Sequence, residues 1–381
     1  MPIYLDHAAT TPLSSIARAA MAPWLSENVA ANASSVHRSG QYARAAVETA
    51  RERLAAALNA SPAEIVFVSG ATEADALAIC GTLDAAATGA ALIVSAAEHA
   101  AVLQVAAREE RHGRPVVRLD PGPTGAPSPS ALDAALASLS GPVALVAVMH
   151  TNNETGIVAD VPALAELAHA RGAALLCDAV QAFGFAELDV HRLEADLVAL
   201  SSHKIGGPQG VGALWIRDGV ELVPQALGGA QERGRRAGTL PVAAIVGFGA
   251  AAEVAGREAG NNAAHVGALR DALETLVTAI PGVERNGSGP RGPKHLSVRV
   301  GAVDGESLVL ALDVAGIEVS AGSACSAGSL EPSHVLMAMG LDADAARASV
   351  RFSLAPTTSD AEVAEAGALF ADVVERLRAS N

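Results

Sequence analysis

Between residues 64 and 217 the chain repeats one arrangement: a short run of consecutive apolar residues, then a stretch with helical apolar spacing. The runs are EIVFVSG (64–70), ALIVS (91–95), PVVRL (115–119), VALVAVM (143–149), AALLC (173–177), DLVAL (196–200) and GALWI (212–216). Helical patterns such as ATEADALAICGTL, which follows the first run, and VPALAELAHARG (161–172) lie between them. A strand that is apolar on successive residues must be covered on both faces. The alternation therefore predicts an α/β fold with a mostly parallel sheet and helices on both sides. After GTLPVAAIVGFGAAAEVA (238–255) a long alanine-rich helical stretch leads to HLSVRV (295–300), IEVSAG (317–322) and SVRFSLA (349–355), separated by helices. These predict a smaller α+β C-terminal domain. The expected division is a large domain over 14–257 and a small one formed by 1–13 with 258–381. PGPTGAPSP (121–129) and RNGSGPRGP (285–293) read as surface loops.

Composition narrows the function classes. Half of the 381 residues are apolar and the mean hydropathy is +0.31, but alanine supplies much of this. The apolar runs fall far short of the ~20 residues that a spanning helix needs. MPIYLDHAATTP lacks the basic-then-apolar pattern of a signal peptide. A net charge of −15 and a pI near 5.1 give no electrostatic footprint for direct nucleic-acid contact. The compact basic stretch RGRRAG (233–238) is either a solvated loop or an anion or subunit contact. Three widely separated cysteines, Cys80, Cys177 and Cys325, form no C-x-x-C pair and no thiolate metal site. The expected setting is a reducing cytoplasm.

Ligands of open α/β sheets bind outside the carboxyl ends of the strands, and polar groups collect at those ends here. SGATEAD follows the first strand, Glu98-His99 the second, HTNNETG the strand 143–149, DAVQ the strand 173–177 and SSHK the strand 196–200. Each piece has an ordinary reading. The Gly-Ala-Thr turn can hold phosphate on backbone N–H groups and Thr72, or Thr72-x-x-Asp75 can be a capping box. His99 can be structural, Asn152, Asn153 and Glu154 can form a turn, and Asp178 can cap a helix. Five of the first six strand ends with such chemistry favour one ligand crevice.

Lys204 follows SSH and is separated by Ile205 from two glycines. No G-x-x-x-x-G-K-[ST] occurs, and no G-x-G-x-x-G follows the first strand, so neither a Walker loop nor a dinucleotide fingerprint accounts for it. What remains is a lysine, a strand-end aspartate 26 residues upstream and a turn suited to phosphate. Pyridoxal 5'-phosphate needs that set: an amine for a Schiff base, an acid partner for the pyridine nitrogen and a phosphate grip.

With these residues the chain resembles the cysteine desulfurases of the class V aminotransferase group, which share the fold of type I pyridoxal-phosphate enzymes. The resemblance runs over nearly the whole chain. It is carried by YLDHAATTP (4–12), SGATEAD (69–75), EH (98–99), NNETG (152–156), DAVQ (178–181), SSHKIGGPQGVGAL (201–214), GGAQERGRRAGT (228–239), GSACSAGSLEPSHVL (322–336) and RFS (351–353). It implies that the large domain binds the cofactor and that Lys204 carries it. Asp178 would pair with the ring nitrogen, Gln181 would bond the ring oxygen and His99 would stack on the ring. Ala71, Thr72, Ser201 and His203 would cradle the phosphate, with Thr239 reaching in from the other subunit of a homodimer. Asn153 would lie near cofactor and substrate, and Arg351 would clamp the substrate carboxylate.

The same resemblance makes Cys325, in the small-residue run AGSACSAGS, the nucleophile that takes sulfur from L-cysteine as a persulfide; alanine is the other product. The thiolate is the competent form. A sulfur-acceptor protein, either an iron–sulfur scaffold or a thiolation protein, would receive it. No resident metal is implied, beyond Cys325 as a transient iron–sulfur ligand. Cys80 and Cys177, inside apolar runs, read as core residues. The chain departs from the family pattern at Ala33, Val68 and Ala230, none of them a catalytic group. It ends at Asn381 without the longer tail on which relatives often dock a scaffold. Rival readings are an aminotransferase or a selenocysteine lyase on the same fold, or a persulfide carrier without turnover. A transaminase has no need of Cys325, and a carrier has no need of Lys204, Asp178, His99 and Arg351.

Overall fold

A computed structural model of the chain describes residues 2–26, 29–30, 32–321 and 331–379. The central sheet has seven strands in the order Ile65–Val68, Gly212–Ile216, Leu197–Ser201, Ala174–Asp178, Val143–Met149, Ala91–Ser95, Val116–Leu119. All neighbours run parallel except Gly212–Ile216, which is antiparallel to both of its partners. Every residue of Val143–Met149 and Leu197–Ser201 is buried, as apolar strands covered on both faces require. One face packs against Arg38–Ala57 and the first part of Val242–Thr278 through Val47, Leu54, Ile245 and Phe248. The other packs against Ala71–Ala85 and Ala100–Arg111 through Leu77, Ile79, Val102 and Ala106. The expected helix-covered sheet is thus present.

A second, antiparallel sheet runs Ser320–Ala321, Ser349–Ser353, His295–Val300, Val283–Arg285. Its core joins Leu296, Val298 and Phe352 to Leu308 and Leu312 of Gly305–Val314, to Phe370 and Val373 of Asp360–Ala379, and to Leu269 and Leu273 of Val242–Thr278. The helix Val242–Thr278 therefore passes from one core to the other.

The run 317–322 departs from the single strand expected of it. Ile317–Glu318 pairs in parallel with Ile3–Tyr4, while Ser320–Ala321 joins Ser349–Ser353. The chain changes sheets at Val319, a step that alternating polarity alone does not announce. Through this exchange the N-terminal segment is held by distant residues. Leu5 N donates to Glu318 O at 2.9 Å, Ser353 N to Leu5 O at 2.7 Å, and Ala8 N to Ser353 Oγ at 2.8 Å.

Candidate active site

A cleft of about 490 Å³ opens at the carboxyl ends of the central strands. Ala71, Thr72, His99, Asn153, Asp178, Gln181, Ser201, His203, Lys204 and Arg351 all line it. Residues singled out in the sequence are thereby brought together from several strand ends and from the second sheet.

Lys204 closes a single helical turn, Ser202–Lys204, directly after strand Leu197–Ser201. The two glycines that follow have separate reasons. Gly206 has φ +78°, and a Cβ on Gly207 would fall 2.1 Å from Ser202 Oγ. This tight return presents the amine to the N-terminal segment: Nζ donates to Ala8 O at 2.5 Å and to Ala9 O at 2.6 Å. His203 bonds Thr10 Oγ1 through Nδ1 at 3.0 Å. Burial, then the charges of Lys204 and Lys294, push the His203 imidazole down to about 4, so it is neutral at neutral pH.

Asp178 ends its strand, buried, and its Oδ1 accepts Val180 N–H at 2.9 Å. Burial holds its carboxyl above the ordinary range, against the opposing pull of the Val180 amide, His99 and Lys204. Two further carboxyls lie behind it, for which the sequence suggests no role in catalysis. Asp75 is fully buried with Oδ1 unpartnered, and Glu98 accepts Met149 N–H at 2.8 Å through Oε1. Burial, then the neighbouring carboxylates, pushes both well up. The signal for Asp75 is a charge placed within the apolar pattern ATEADALAIC, where a surface reading is the easy one. The capping box considered for Thr72 and Asp75 does not form. The N-cap of Ala71–Ala85 is Gly70, with no side-chain cap, and Glu73 instead turns back to accept Ser69 N–H at 2.7 Å.

That uncapped helix start suits an anion. His99 is itself the N-cap of Ala100–Arg111, its Nδ1 accepting Ala101 N–H at 3.1 Å, so the expected cofactor histidine also has a structural task. Gln181 donates from Nε2 to Ala8 O at 3.0 Å and pairs through Oε1 with His295 Nε2 at 3.2 Å. Arg351 reaches the cleft from the second sheet. Nη1 donates to Asn153 O at 2.8 Å, Nη2 meets Asp6 Oδ1 at 2.6 Å, and Asn153 Oδ1 is buried without a partner. The roles of Asp6, Ala8 and Ala9 do not follow from the sequence, although their segment carries part of the resemblance.

Thr239 is exposed and does not line this cleft. Its loop is anchored at two points. Glu232 accepts from Arg51 at 2.7 and 2.8 Å and from Phe67 N at 2.7 Å, and Arg236 forks onto Glu73 at 2.7 and 3.0 Å. The basic stretch 233–238 is thus partly paired. Cys80 and Cys177 are buried, as expected; Cys325 lies outside the described residues. No helix among the described residues is long and apolar enough to cross a membrane.

The donor set fits pyridoxal phosphate: backbone N–H groups at an uncapped helix start for the phosphate, an amine held on carbonyls, and a buried strand-end carboxyl for a protonated ring nitrogen. The model for class V aminotransferases matches residues 3–365. A cysteine desulfurase, IscS, of Vibrio cholerae serotype O1 is 42% identical over 385 residues, covering 100% of this chain and 94% of that protein. A solved NifS-like protein aligns with TM-score 0.91 at 30% identity, covering 99% of this chain and 100% of its own. SspA, solved in complex with cysteine, aligns with TM-score 0.82 at 33% identity, covering 93% of this chain and 99% of its own. The fold is that of a class V aminotransferase. Within that class, the chain belongs to the cysteine desulfurase family.

Proposed function

We propose that this chain uses pyridoxal 5'-phosphate to convert L-cysteine to L-alanine, passing the sulfur to Cys325 and then to an acceptor protein. The observation that carries the reading is the meeting of Lys204, Asp178 and the uncapped Gly70–Thr72 turn in one cleft, with Arg351 at its wall. Cysteine bound to the structurally similar SspA supports the substrate class.

When bound, the cofactor supplies an electron-accepting ring that stabilises charge developing at the substrate α-carbon. The chain's residues hold and time this chemistry. N–H groups at Ala71 and Thr72, with Ser201 and His203, would hold the phosphate, and Thr239 of a second subunit would complete the cradle in a homodimer. Asp178, as a carboxylate facing a cation, would keep the proton on the ring nitrogen; Gln181 would donate to the ring oxygen and His99 would stack on the ring. Arg351, with Asn153 beside it, orients the substrate carboxylate through a planar fork. Lys204 would carry the cofactor, and its neutral Nζ would take the substrate α-proton; the Ala8 and Ala9 carbonyls, which already accept from Nζ, would receive the resulting ammonium. The Cys325 thiolate bonds to the substrate sulfur as the carbon–sulfur bond breaks. Its electron pair stays with the carbon fragment, which leaves as alanine after protonation. The persulfide is then drawn off by an iron–sulfur scaffold or a thiolation protein, in a cytoplasmic setting that keeps thiols reduced.

The test is the release of alanine and sulfide from L-cysteine under a reductant. Wild type is expected to give equal amounts of both, and Cys325→Ala neither at multiple turnover. Undiminished products from the variant would remove Cys325 from the mechanism.

A further inference from the structure

His295 is fully buried at the start of strand His295–Val300, in the second sheet, whereas Gln181 follows a strand of the central one. Its side chain nevertheless reaches the cleft's wall, with Nε2 3.2 Å from Gln181 Oε1. Hydrogen-bond logic decides which way this contact runs. Gln181 meets the carbonyl of Ala8 at 3.0 Å, and a carbonyl can only accept, so Nε2 of the amide faces it. Oε1 is therefore turned to His295 and needs a donor. His295 must carry its proton on Nε2, and Nδ1, buried and without a partner, holds a lone pair.

The surroundings are built for this ring. Gly156, at φ +75° in the NNETG turn, lies against it, and a Cβ there would stand 2.6 Å from His295 Cβ. Burial, then the positive charges of Lys294, Arg351, Lys204 and Arg270, keep the imidazole neutral, so the single-proton form is the one present. With Oε1 and one Nε2 hydrogen engaged, the Gln181 amide has one N–H left, and Gln181 lines the cleft. That N–H can donate to an oxygen there, while His295 and the Ala8 carbonyl hold the amide in this orientation.

We propose that His295 is a positioning residue: by donating from Nε2 to Gln181 Oε1 it works with the Ala8 carbonyl to hold that amide as a donor to the cleft, so the cleft takes the cofactor with its ring oxygen as an anion. This rests on the reading that the cleft holds pyridoxal phosphate.

The experiment titrates apoprotein with pyridoxal phosphate and follows the visible absorbance of the Lys204–cofactor adduct and its pH midpoint. It compares wild type, His295→Gln and His295→Asn, each with and without Gln181→Ala. Glutamine places an N–H near the position of the imidazole Nε2; asparagine is one methylene short. His295→Asn is expected to weaken cofactor binding about fivefold, the worth of one ordinary hydrogen bond. It should also raise the pH midpoint by about half a unit or more, because a less stabilised oxygen anion holds the adduct's proton more tightly. His295→Gln should stay within about twofold of wild type, and neither change should matter once Gln181 is alanine. The proposal is overturned if His295→Asn matches wild type, or if its effect persists in full beside Gln181→Ala. Should wild type form no visible adduct, or one that survives Lys204→Ala, the cofactor reading fails and takes this proposal with it.

Discussion

Arg351 Nη2 lies 2.6 Å from Asp6 Oδ1, joining a strand of the second sheet to a residue 345 positions earlier, at the wall of the cleft. The guanidinium also donates to Asn153 O at 2.8 Å and is buried, so its plane is set before any substrate arrives. A lysine cannot serve Asp6, Asn153 O and a substrate carboxylate with one fixed fork. Arg351→Lys should raise KM for L-cysteine roughly 10- to 150-fold, the range of a charge-assisted hydrogen bond, and change kcat much less. Steady-state kinetics check this; an unchanged KM would remove Arg351 from carboxylate binding.

Lys204→Ala should abolish the visible adduct absorbance, and borohydride should no longer fix the cofactor to the peptide containing residue 204. The proposed phosphate site at the Gly70–Thr72 turn is untouched, so the variant should still bind cofactor without a covalent bond. Mass spectrometry of the reduced digest is decisive: label retained elsewhere would point to another lysine.

Asp178→Asn keeps the Val180 contact available but loses the charge proposed to face the ring nitrogen. Turnover should fall on the order of a hundredfold, the cost of removing one charge-assisted interaction of about 3 kcal/mol. Cofactor affinity should fall far less. Parallel measurement of kcat and cofactor binding separates the two, and near-normal kcat would sink the assignment.

Glu154 sits buried beside Asn153 and bonds Ser333, whose Oγ also accepts Leu336 N–H at 3.1 Å. Burial pushes the Glu154 carboxyl up to about 7, against Ser333, Arg351 and His99, which pull it down. A folded-state value above the unfolded one means the folded chain binds the extra proton. This contribution to stability is therefore present below about 4.5, is lost as pH climbs towards 7, and is flat above. Urea titrations across that window should show wild type losing a few kcal/mol relative to Glu154→Gln. Parallel profiles for the two proteins would refute the assignment.

Glu232 is anchored by the Arg51 fork and by Phe67 N–H, all buried. Arg51→Ala leaves that carboxylate without its cation and should cost about 3–5 kcal/mol. Arg51→Met with Glu232→Leu should recover much of the loss, since the pair's desolvation cost goes with it. Thermal melts of the variants test this; an Arg51→Ala protein as stable as wild type contradicts it.

The central sheet was legible because its strands are apolar on consecutive residues, which leaves few other structures open to them. The cleft was legible because Asp178, Lys204, His99 and Asn153 each sit at or just past a strand end. The Asp6–Arg351 pair was not, since no local periodicity encodes a contact between residues 345 positions apart. Asp75 was hidden because a carboxylate on a helix reads as a surface charge until neighbouring elements cover it. The His295–Gln181 contact was hidden in the same way, both residues belonging to segments whose own patterns are ordinary. The break at Val319 depends on which sheet each half joins, a matter of tertiary pairing rather than of propensity.

The N-terminal segment has a consequence for synthesis. The carbonyls of Ala8 and Ala9 that hold Lys204 belong to residues among the first to leave the ribosome, yet their supports, Glu318, Arg351 and Ser353, are among the later ones. The central sheet can assemble while translation continues, but this wall of the cleft must wait until Ser353 has emerged. A nascent chain therefore cannot complete its active site early, and ribosome-stalled chains ending before residue 349 would carry Lys204 with no wall behind it.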